Sequence, residues 1–296
     1  MEHEAGWRKM PVACARPGTS DDRRRFAAAI NDMPYSFILI EPPPQDPDEM
    51  ARLFRFIAGC GYEGVELNLT GPLLDSLDQI EQAAAASNLV VPSFLTGEAY
   101  RQGLCLSTAD TARRTAAVER LIAYLPVAVR FHAILVVGLL QGLARDEPDP
   151  QVANERIVGG LTEVARAAEA AGAELVIEPV NHLQVGFNHT VDEVMRLIAA
   201  IGSPAIRPMV DTIHMNIEES SLTGPIRECG PALRHVHLCE SNAGLLGSGH
   251  IDFKVVLGAL DDVKYDGFAS VKVYRKATLA EAATSSMRYL RRCQGD

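Results

Sequence analysis

Short apolar runs alternate with longer amphipathic segments from about residue 35 to the end of the chain. Short runs rich in Val, Ile, Leu and Phe are typical of strands, and apolar positions three and four residues apart are typical of helices. The predicted strands are Tyr35–Ile40, Gly64–Leu69, Leu89–Leu95, Ala133–Gly138, Glu174–Glu178, Ile206–Asp211, Arg234–Leu238 and Phe268–Tyr274. The predicted helices between and after them are Asp46–Cys60, Leu74–Ser87, Thr111–Leu125 (stopped by Pro126), Asn154–Ala171, Val191–Ile201, Gly224–Cys229, Phe253–Leu260 and Leu279–Arg292.

Eight strand–helix pairs in alternation predict parallel βαβ units, and eight such units can close into a (β/α)8 TIM barrel. An open doubly wound sheet is the alternative. Such a sheet normally carries a glycine-rich phosphate turn after an early strand, and the sequence has no GxGxxG or GxxxxGK(S/T) motif. We therefore predict one α/β TIM-barrel domain over residues 34–296, preceded by a short N-terminal extension over residues 1–33.

Composition and charge narrow the classes of function. The chain has 296 residues, of which 47% are hydrophobic and 22% charged, and these values are ordinary for a globular enzyme. A formal net charge of −10 argues against nucleic-acid or acidic-membrane partners. No apolar run has transmembrane length, and the charged residues 1–10 lack the core of a signal peptide. The 6 cysteines include no CxxC pair, which favours free thiols and a cytoplasmic location.

The last four predicted strands each have a metal-binding or substrate-binding candidate at or near their carboxyl end. These candidates are Glu178, Asp211, His237 and Lys272. Carboxyl ends of barrel strands face one mouth, so the four side chains can converge. Two carboxylates and one imidazole suit Mn²⁺, Mg²⁺, Co²⁺ or Zn²⁺, whereas lysine is a poor ligand. His235 is an alternative to His237, because alternate residues of a strand point to the same side.

Four motifs in this half of the chain resemble the sugar isomerase/epimerase superfamily, the xylose isomerase-like TIM barrels. The motifs are Glu178-Pro179-Val180-Asn181, Asp211-Thr212-Ile213-His214-Met215-Asn216, His235-Val236-His237 and Gly247-Ser248-Gly249-His250-Ile251-Asp252-Phe253. Members of that superfamily include ketose 3-epimerases, inosose dehydratase and a dehydroshikimate dehydratase. The resemblance covers roughly residues 35–292 in layout, and its specific motifs lie within 174–275.

The resemblance implies one divalent metal ion, with Glu178, Asp211 and His237 as its ligands and His214 in contact with substrate. Such an ion chelates a ketone and its neighbouring hydroxyl and stabilises an enediolate, while a carboxylate moves the proton. Glu66, near the end of the second strand, resembles a frequent acidic position of the superfamily. It is either a catalytic residue or an interior salt-bridge partner.

The loop after strand five supplies Asn181, His182 and Gln184 as further candidates for substrate binding. Gln184 stands where the resemblance implies a substrate-binding glutamate, and Ala243 stands where it implies an arginine. Lys272 occupies the position of the fourth ligand, a glutamate that also transfers protons in ketose epimerases. Proton transfer by the usual carboxylate pair is therefore in question. Lys272 could act as an acid/base, or it could anchor a substrate carboxylate.

These observations predict a metal-dependent isomerase or epimerase of a small carbohydrate or sugar acid, with Glu178, Lys272 and Glu66 as catalytic candidates. One alternative is a metal-dependent lyase, a decarboxylase or dehydratase of a 3-oxo sugar acid, with Lys272 near the substrate carboxylate. Another is a non-catalytic sugar-binding barrel that has lost the fourth metal ligand. A DNA-repair endonuclease is disfavoured by the acidic charge. Barrels of this kind often pair through their helices, so a homo-oligomer is compatible with the sequence.

Overall fold

The structure is a computed structural model that describes residues 33–275 and 277–295. The predicted N-terminal extension, residues 1–33, therefore lies outside the described residues except for Met33. Eight parallel strands form a closed barrel in which each strand pairs with the next along the chain. The last strand pairs with the first and closes the ring. The predicted (β/α)8 TIM barrel is confirmed.

The strands are β1 Tyr35–Leu39, β2 Gly64–Asn68, β3 Ser93–Leu95, β4 Ile134–Val137, β5 Glu174–Ile177, β6 Ile206–Asp211, β7 His235–Cys239 and β8 Ala269–Lys272. The helices are α1 Pro47–Gly59, α2 Gly71–Leu74, α3 Leu77–Ala86, α4 Gly97–Arg101, α5 Thr111–Phe131, α6 Pro150–Ala171, α7 Val191–Ile201, α8 Thr212–Glu218, α9 Gly224–Cys229, α10 Phe253–Asp262 and α11 Leu279–Gln294. Two 3-10 turns, Leu139–Gln141 and Gly230–Ala232, follow β4 and α9.

Local chemistry marks the ends of several helices. At the start of α7, the Thr190 hydroxyl and the Glu193 carboxylate form a capping box that satisfies free backbone N–H groups. Asp110 accepts two hydrogen bonds from the first turn of α5. Gly202 ends α7 with φ of 69°, a left-handed conformation that costs glycine little.

The interior of the barrel has an apolar side and a polar side. Ile134, Val136, Val176 and Met209, from β4 to β6, form a separate apolar cluster. The polar side is formed by buried residues of β1, β2, β3, β7 and β8, namely Ser36, Glu66, Ser93, His235, His237 and Ser270. A buried polar group costs free energy unless it is hydrogen-bonded, so this side depends on a complete network of partners.

Several boundaries differ from the sequence prediction. Helix α5 continues through Pro126 to Phe131 because Val127 and Ala128 are buried, and this burial outweighs one lost backbone hydrogen bond. Strand β3 covers only Ser93–Leu95, since Pro92 before it has no N–H to donate. The helix predicted over 74–87 corresponds to α3, which begins only at Leu77, and Leu74 instead ends the separate short helix α2.

Strand register brings the candidate residues to one end of the barrel. Asp211 on β6 lies opposite His237 on β7, and Cys239 on β7 lies opposite Lys272 on β8. Glu178 directly follows β5, and its backbone N–H donates to the carbonyl of Val137. Among the described residues, none of the helices combines the length and the apolar character that crossing a membrane requires.

Candidate active site

Glu178, Asp211, His237 and Lys272 meet at the mouth of the barrel, and we refer to them as the mouth cluster. Nδ1 of His237 lies 3.2 Å from Oε1 of Glu178 and 3.5 Å from Oδ2 of Asp211. One ligand atom from each of Glu178, Asp211 and His237 lies within 4.8 Å of the other two. Three side chains from neighbouring strands therefore converge as the sequence predicted.

Lys272 lies inside this cluster. Its Nζ donates to Oδ2 of Asp211 at 2.8 Å and lies 3.6 Å from Oε1 of Glu178. The side chain of Lys272 is only 16% exposed, and that of Asp211 is fully buried. The ammonium therefore balances two carboxylates that would otherwise repel each other at low dielectric.

The charges in the mouth cluster shift the protonation of its members. Burial on its own would raise the pKa of Glu178, but the Lys272 ammonium, assisted by His237 and His214, lowers it to about 2. Burial is likewise outweighed at Asp211, whose pKa is held far below its ordinary range by Lys272. Both carboxylates are therefore ionised at neutral pH, as ligands of a divalent ion must be.

Below the mouth cluster lies a second polar group, the deep cluster, which consists of Glu66, His235, Ser93 and Ser270. Oε1 of Glu66 accepts from Nε2 of His237 at 2.9 Å, and Oε2 accepts from Nε2 of His235 at 2.9 Å. The hydroxyls of Ser93 and Ser270 lie 3.3 Å and 3.2 Å from the same His235 nitrogen. Glu66 is fully buried, so its contacts are those of the interior salt-bridge partner, one of the two roles that its sequence position allowed.

The hydrogen bond to Glu66 determines how His237 is used. Burial lowers the pKa of His237, but the charge of Glu66 and hydrogen bonds with Asp211 and Glu178 outweigh it and raise that pKa well above its usual value. With Nε2 bonded to Glu66, the other ring nitrogen, Nδ1, faces the two carboxylates of the mouth cluster. A carboxylate behind a histidine is the usual arrangement for orienting a metal-binding imidazole.

The mouth cluster fits a divalent cation. Its donors are two ionised oxygens and Nδ1 of His237, which binds a metal once the ion displaces the proton that the raised pKa keeps there. This set suits Mn²⁺, Mg²⁺, Co²⁺ or Zn²⁺. The Lys272 ammonium already occupies a position of positive charge between Asp211 and Glu178. Glu66 and His235 of the deep cluster form a second possible ligand set with His237, but all three are buried, and none lines the cavity that opens above the mouth cluster. Catalytic metal sites keep an open position for substrate, and of the two groups only the mouth cluster borders a cavity, through Glu178 and Lys272.

A cavity of about 230 Å³ opens above the mouth cluster. Glu178, Lys272, His214 and Gln184 line it. His214 is oriented by Asn181, whose amide donates to Nδ1 of the ring at 2.7 Å, and this leaves Nε2 facing the two carboxylates. Asn181 thus reaches the cavity through His214.

His182 is not brought to the cavity. Its side chain is 58% exposed, and its ring pairs with Glu218 on the outer side of the loop. Gln184, two residues later, does line the cavity. The two side chains of one loop therefore differ in their access to a ligand.

Several residues at the site were not singled out in the sequence. Gln141 is buried and donates to the backbone carbonyl of Glu178 at 3.1 Å, which helps to fix the position of that candidate ligand. Arg101, Tyr274 and Asn68 line the cavity. Asn68 ends β2, so the same strand-end rule that selected Asp211 could have found it.

A larger groove of about 810 Å³ adjoins the cavity beside β1 and β8. Ile40 and Tyr274 line both spaces. Most other side chains of the groove are apolar, including Phe37, Leu53 and Phe56, and none of its lining residues belongs to the mouth cluster. The smaller cavity, which contacts Glu178 and Lys272, is therefore the candidate substrate site.

Fold and site together define a TIM barrel with a candidate metal site at its mouth, and comparison with known proteins identifies its family. The model of the xylose isomerase-like TIM barrel family matches residues 54–293, and the chain belongs to this family. The resemblance inferred from the four sequence motifs is thus confirmed.

Among characterised relatives, a ketose 3-epimerase of Arthrobacter globiformis is 28% identical over 70% of this chain and 72% of its own length. An L-ribulose 3-epimerase of Mesorhizobium japonicum is 33% identical over 56% of this chain and 58% of its own. A 3-dehydro-D-guloside 4-epimerase of Escherichia coli is 24% identical over 83% of this chain and 96% of its own. These relatives are sugar epimerases and support the prediction of a carbohydrate isomerase or epimerase.

Solved structures show the same fold. The crystal structure of the apo form of 3-keto-D-glucoside 4-epimerase from Escherichia coli has a TM-score of 0.77 at 21% identity, over 88% of this chain and 100% of that chain. A D-psicose 3-epimerase from Clostridium cellulolyticum H10, solved with D-tagatose, has a TM-score of 0.74 at 22% identity, over 88% and 99%.

Proposed function

We propose that this protein is a divalent-metal-dependent epimerase or isomerase of a small keto sugar or keto-sugar acid. The observation that carries the proposal is the convergence of Glu178, Asp211 and His237 at the mouth, with ligand atoms within 4.8 Å of one another. The named activities of the relatives support the same reaction class. The three residues would hold one ion, for which Mn²⁺ is the first to test.

When bound there, a divalent ion supplies positive charge to the ketone and its neighbouring hydroxyl and so acidifies the adjacent C–H bond. Glu178 is the group that moves the proton, because its carboxylate is ionised and lines the cavity. His214, held by Asn181, has Nε2 available to a substrate hydroxyl. Gln184 offers a neutral amide for a further hydroxyl.

Lys272 distinguishes this site from one that works with two carboxylates. Its Nζ can protonate or stabilise an oxyanion, but it supplies no second carboxylate across from Glu178. We therefore expect Glu178 to remove the proton of the substrate C–H bond. Return of that proton by Glu178 to the neighbouring carbon gives an isomer, whereas an epimer requires a proton delivered to the opposite face by another donor, such as solvent. Glu66, enclosed by two histidines, acts through His237 and not on substrate.

The test is incubation of the Mn²⁺-loaded protein with ketoses and keto-sugar acids in D₂O, followed by NMR and mass analysis. The proposal requires an isomer of unchanged composition with one solvent deuterium on the carbon next to the ketone. Asp211→Asn is the matched variant, because it keeps the shape of the ligand and removes its charge. That variant should give neither product nor deuterium uptake.

Two other outcomes would assign a different function. Release of CO₂ or water from a keto-sugar acid would indicate a lyase that uses the same cluster. Failure of Mn²⁺, Mg²⁺, Co²⁺ and Zn²⁺ to bind in calorimetric titration would contradict a metal enzyme and favour a non-catalytic sugar-binding barrel.

A further inference from the structure

The ammonium of Lys272 has carboxylate partners that a metal ion would also use. Asp211 and Glu178, the groups at 2.8 Å and 3.6 Å from its Nζ, are two of the three candidate ligands. Among the described residues, the only aromatic ring over this ammonium is that of Tyr274. It lies 6.0 Å away and compensates the charge only weakly. The same two acids, Asp211 and Glu178, would therefore have to balance the charge of Lys272 and bind a metal ion.

A bound dication changes the charge balance around Lys272. It draws on the negative charge of Asp211 and Glu178 and adds positive charge beside an ammonium whose side chain is only 16% exposed. Among the described residues that line the cavity, Glu178 is the only acid, so no other side chain there replaces the lost partner. An ammonium this buried needs a negatively charged partner. The open side of Lys272 is the cavity, so a ligand bound there can supply that partner.

We propose that Lys272 is an anchor for a carboxylate of the substrate, so that the enzyme acts on a keto-sugar acid in preference to a neutral ketose. The inference rests on the proposed function and specifies its substrate class. A monoanionic carboxylate matches the single ammonium. Arg101, the other cation that lines the cavity, is already paired with Glu98, and its side chain is 57% exposed.

A phosphate group has the same charge sign and is the competing source of an anion. Phosphate carries more negative charge than a carboxylate and is usually held by several donors, such as arginine forks and helix N-termini. The described residues that line the cavity include one largely buried cation, Lys272, and the exposed Arg101, which is already paired with Glu98. This favours the carboxylate, and a sugar phosphate belongs in the experiment as a separate arm.

The experiment measures ligand affinity by calorimetry on the Mn²⁺-loaded wild-type protein. The ligands are D-fructose, its two terminal acids D-fructuronate and 2-keto-D-gluconate, and fructose 6-phosphate. At least one acid should bind about 10- to 100-fold more tightly than D-fructose, as expected for a charge-assisted hydrogen bond in a buried site. Equal affinities, or tightest binding of the sugar phosphate, would overturn the inference. This comparison needs no variant.

Lys272→Met then removes the charge and keeps the length of the side chain. It should bring the acid and D-fructose to within about threefold of each other while Mn²⁺ binding is retained. Lys254→Met is the matched control, because Lys254 is exposed on α10 and outside the cavity lining. The control should keep the wild-type preference. If Lys272→Met also keeps the preference for the acid, Lys272 is not the anchor, although the proposed metal-dependent function is not contradicted. If Mn²⁺ does not bind the wild-type protein, the proposed function itself is wrong.

Discussion

His237 separates two polar groups that use the same residue types for different purposes. On its Nε2 side, the deep cluster gives both oxygens of Glu66 a histidine partner, and its members are fully or almost fully buried. On its Nδ1 side, the mouth cluster collects two carboxylates and the Lys272 ammonium beside a cavity. The deep cluster is closed to ligands, whereas the residues of the mouth cluster can exchange their present partners for a ligand.

The difference shows which property marks a reactive site in this barrel. Buried acids, histidines and perturbed pKa values occur on both sides of His237. What the mouth cluster has in addition is an opening and a lysine whose partners a metal ion would also use. Perturbed ionisation alone would have selected Glu66 as readily as Glu178, so access to ligand is the deciding observation.

The largest effect is expected from breaking the mouth cluster with Asp211→Asn. This change removes a charged ligand but keeps a side chain that can cap α8, as Asp211 does now. Mn²⁺ affinity should fall by more than about 100-fold, beyond the loss typical of groups that only support a ligand. Asp110→Asn is the control, since Asp110 caps α5 in the same way and lies outside the cavity lining. A titration in which both variants bind Mn²⁺ equally well would remove Asp211 from the ligand set.

The next effect comes from the deep cluster, through Glu66→Gln. An amide cannot accept from both His235 and His237 as the carboxylate does, so the imidazole of His237 loses its orientation. Mn²⁺ should bind about 10- to 100-fold more weakly, and the free energy of unfolding should fall by about 2 kcal/mol.

Glu147→Gln is the matched control for Glu66→Gln. Glu147 is a buried partner of Arg156 outside the cavity lining, so its loss should lower stability and leave Mn²⁺ affinity unchanged. Calorimetric titration and urea unfolding measure the two properties separately. If Glu66→Gln behaves in the same way as this control, the deep cluster only stabilises the barrel.

Hydrophobic periodicity was sufficient to predict the barrel, and strand ends were sufficient to predict that Glu178, Asp211 and a histidine of the seventh strand meet at its mouth. The rule works because register and closure carry the carboxyl end of every strand to the same mouth. It could not tell His237 from His235, since both point inward from β7. Only the distances show that His237 faces the carboxylates whereas His235 faces Ser93 and Ser270.

Contacts between distant residues were beyond a reading of the sequence. Glu66 and His237 are 171 positions apart, so no local pattern joins them. Gln141, in the segment after β4, donates to the backbone carbonyl of Glu178, and the identity of neither residue predicts this contact. The loop after β5 shows the same limit, because Gln184 and His182 have similar polarity but face different surroundings.

Lys272→Glu would replace the ammonium of the mouth cluster with a third carboxylate beside Asp211 and Glu178. A fourth ligand, which would be the third ionised oxygen of the set, should tighten Mn²⁺ binding by about tenfold. Without metal, the added carboxylate repels Asp211 and Glu178, so the free energy of unfolding should fall by about 3 kcal/mol in the presence of EDTA. Turnover of the native substrate should decrease, because the ammonium is lost. Increased native turnover would show that Lys272 has no specialised role, and thermal unfolding with and without Mn²⁺ provides the stability readout.

The smallest effect is expected from His182→Ala, which tests how far the substrate site extends along the loop after β5. His182 was predicted to bind substrate, but its exposed ring pairs with Glu218, and exposed pairs contribute at most about 1 kcal/mol. KM and kcat should each change by less than about threefold. Gln184→Ala, in the same loop, removes an amide that lines the cavity and should raise KM by about tenfold. If His182→Ala raises KM as much as Gln184→Ala does, the loop after β5 must close over the substrate. The substrate site would then extend beyond His214 and include His182.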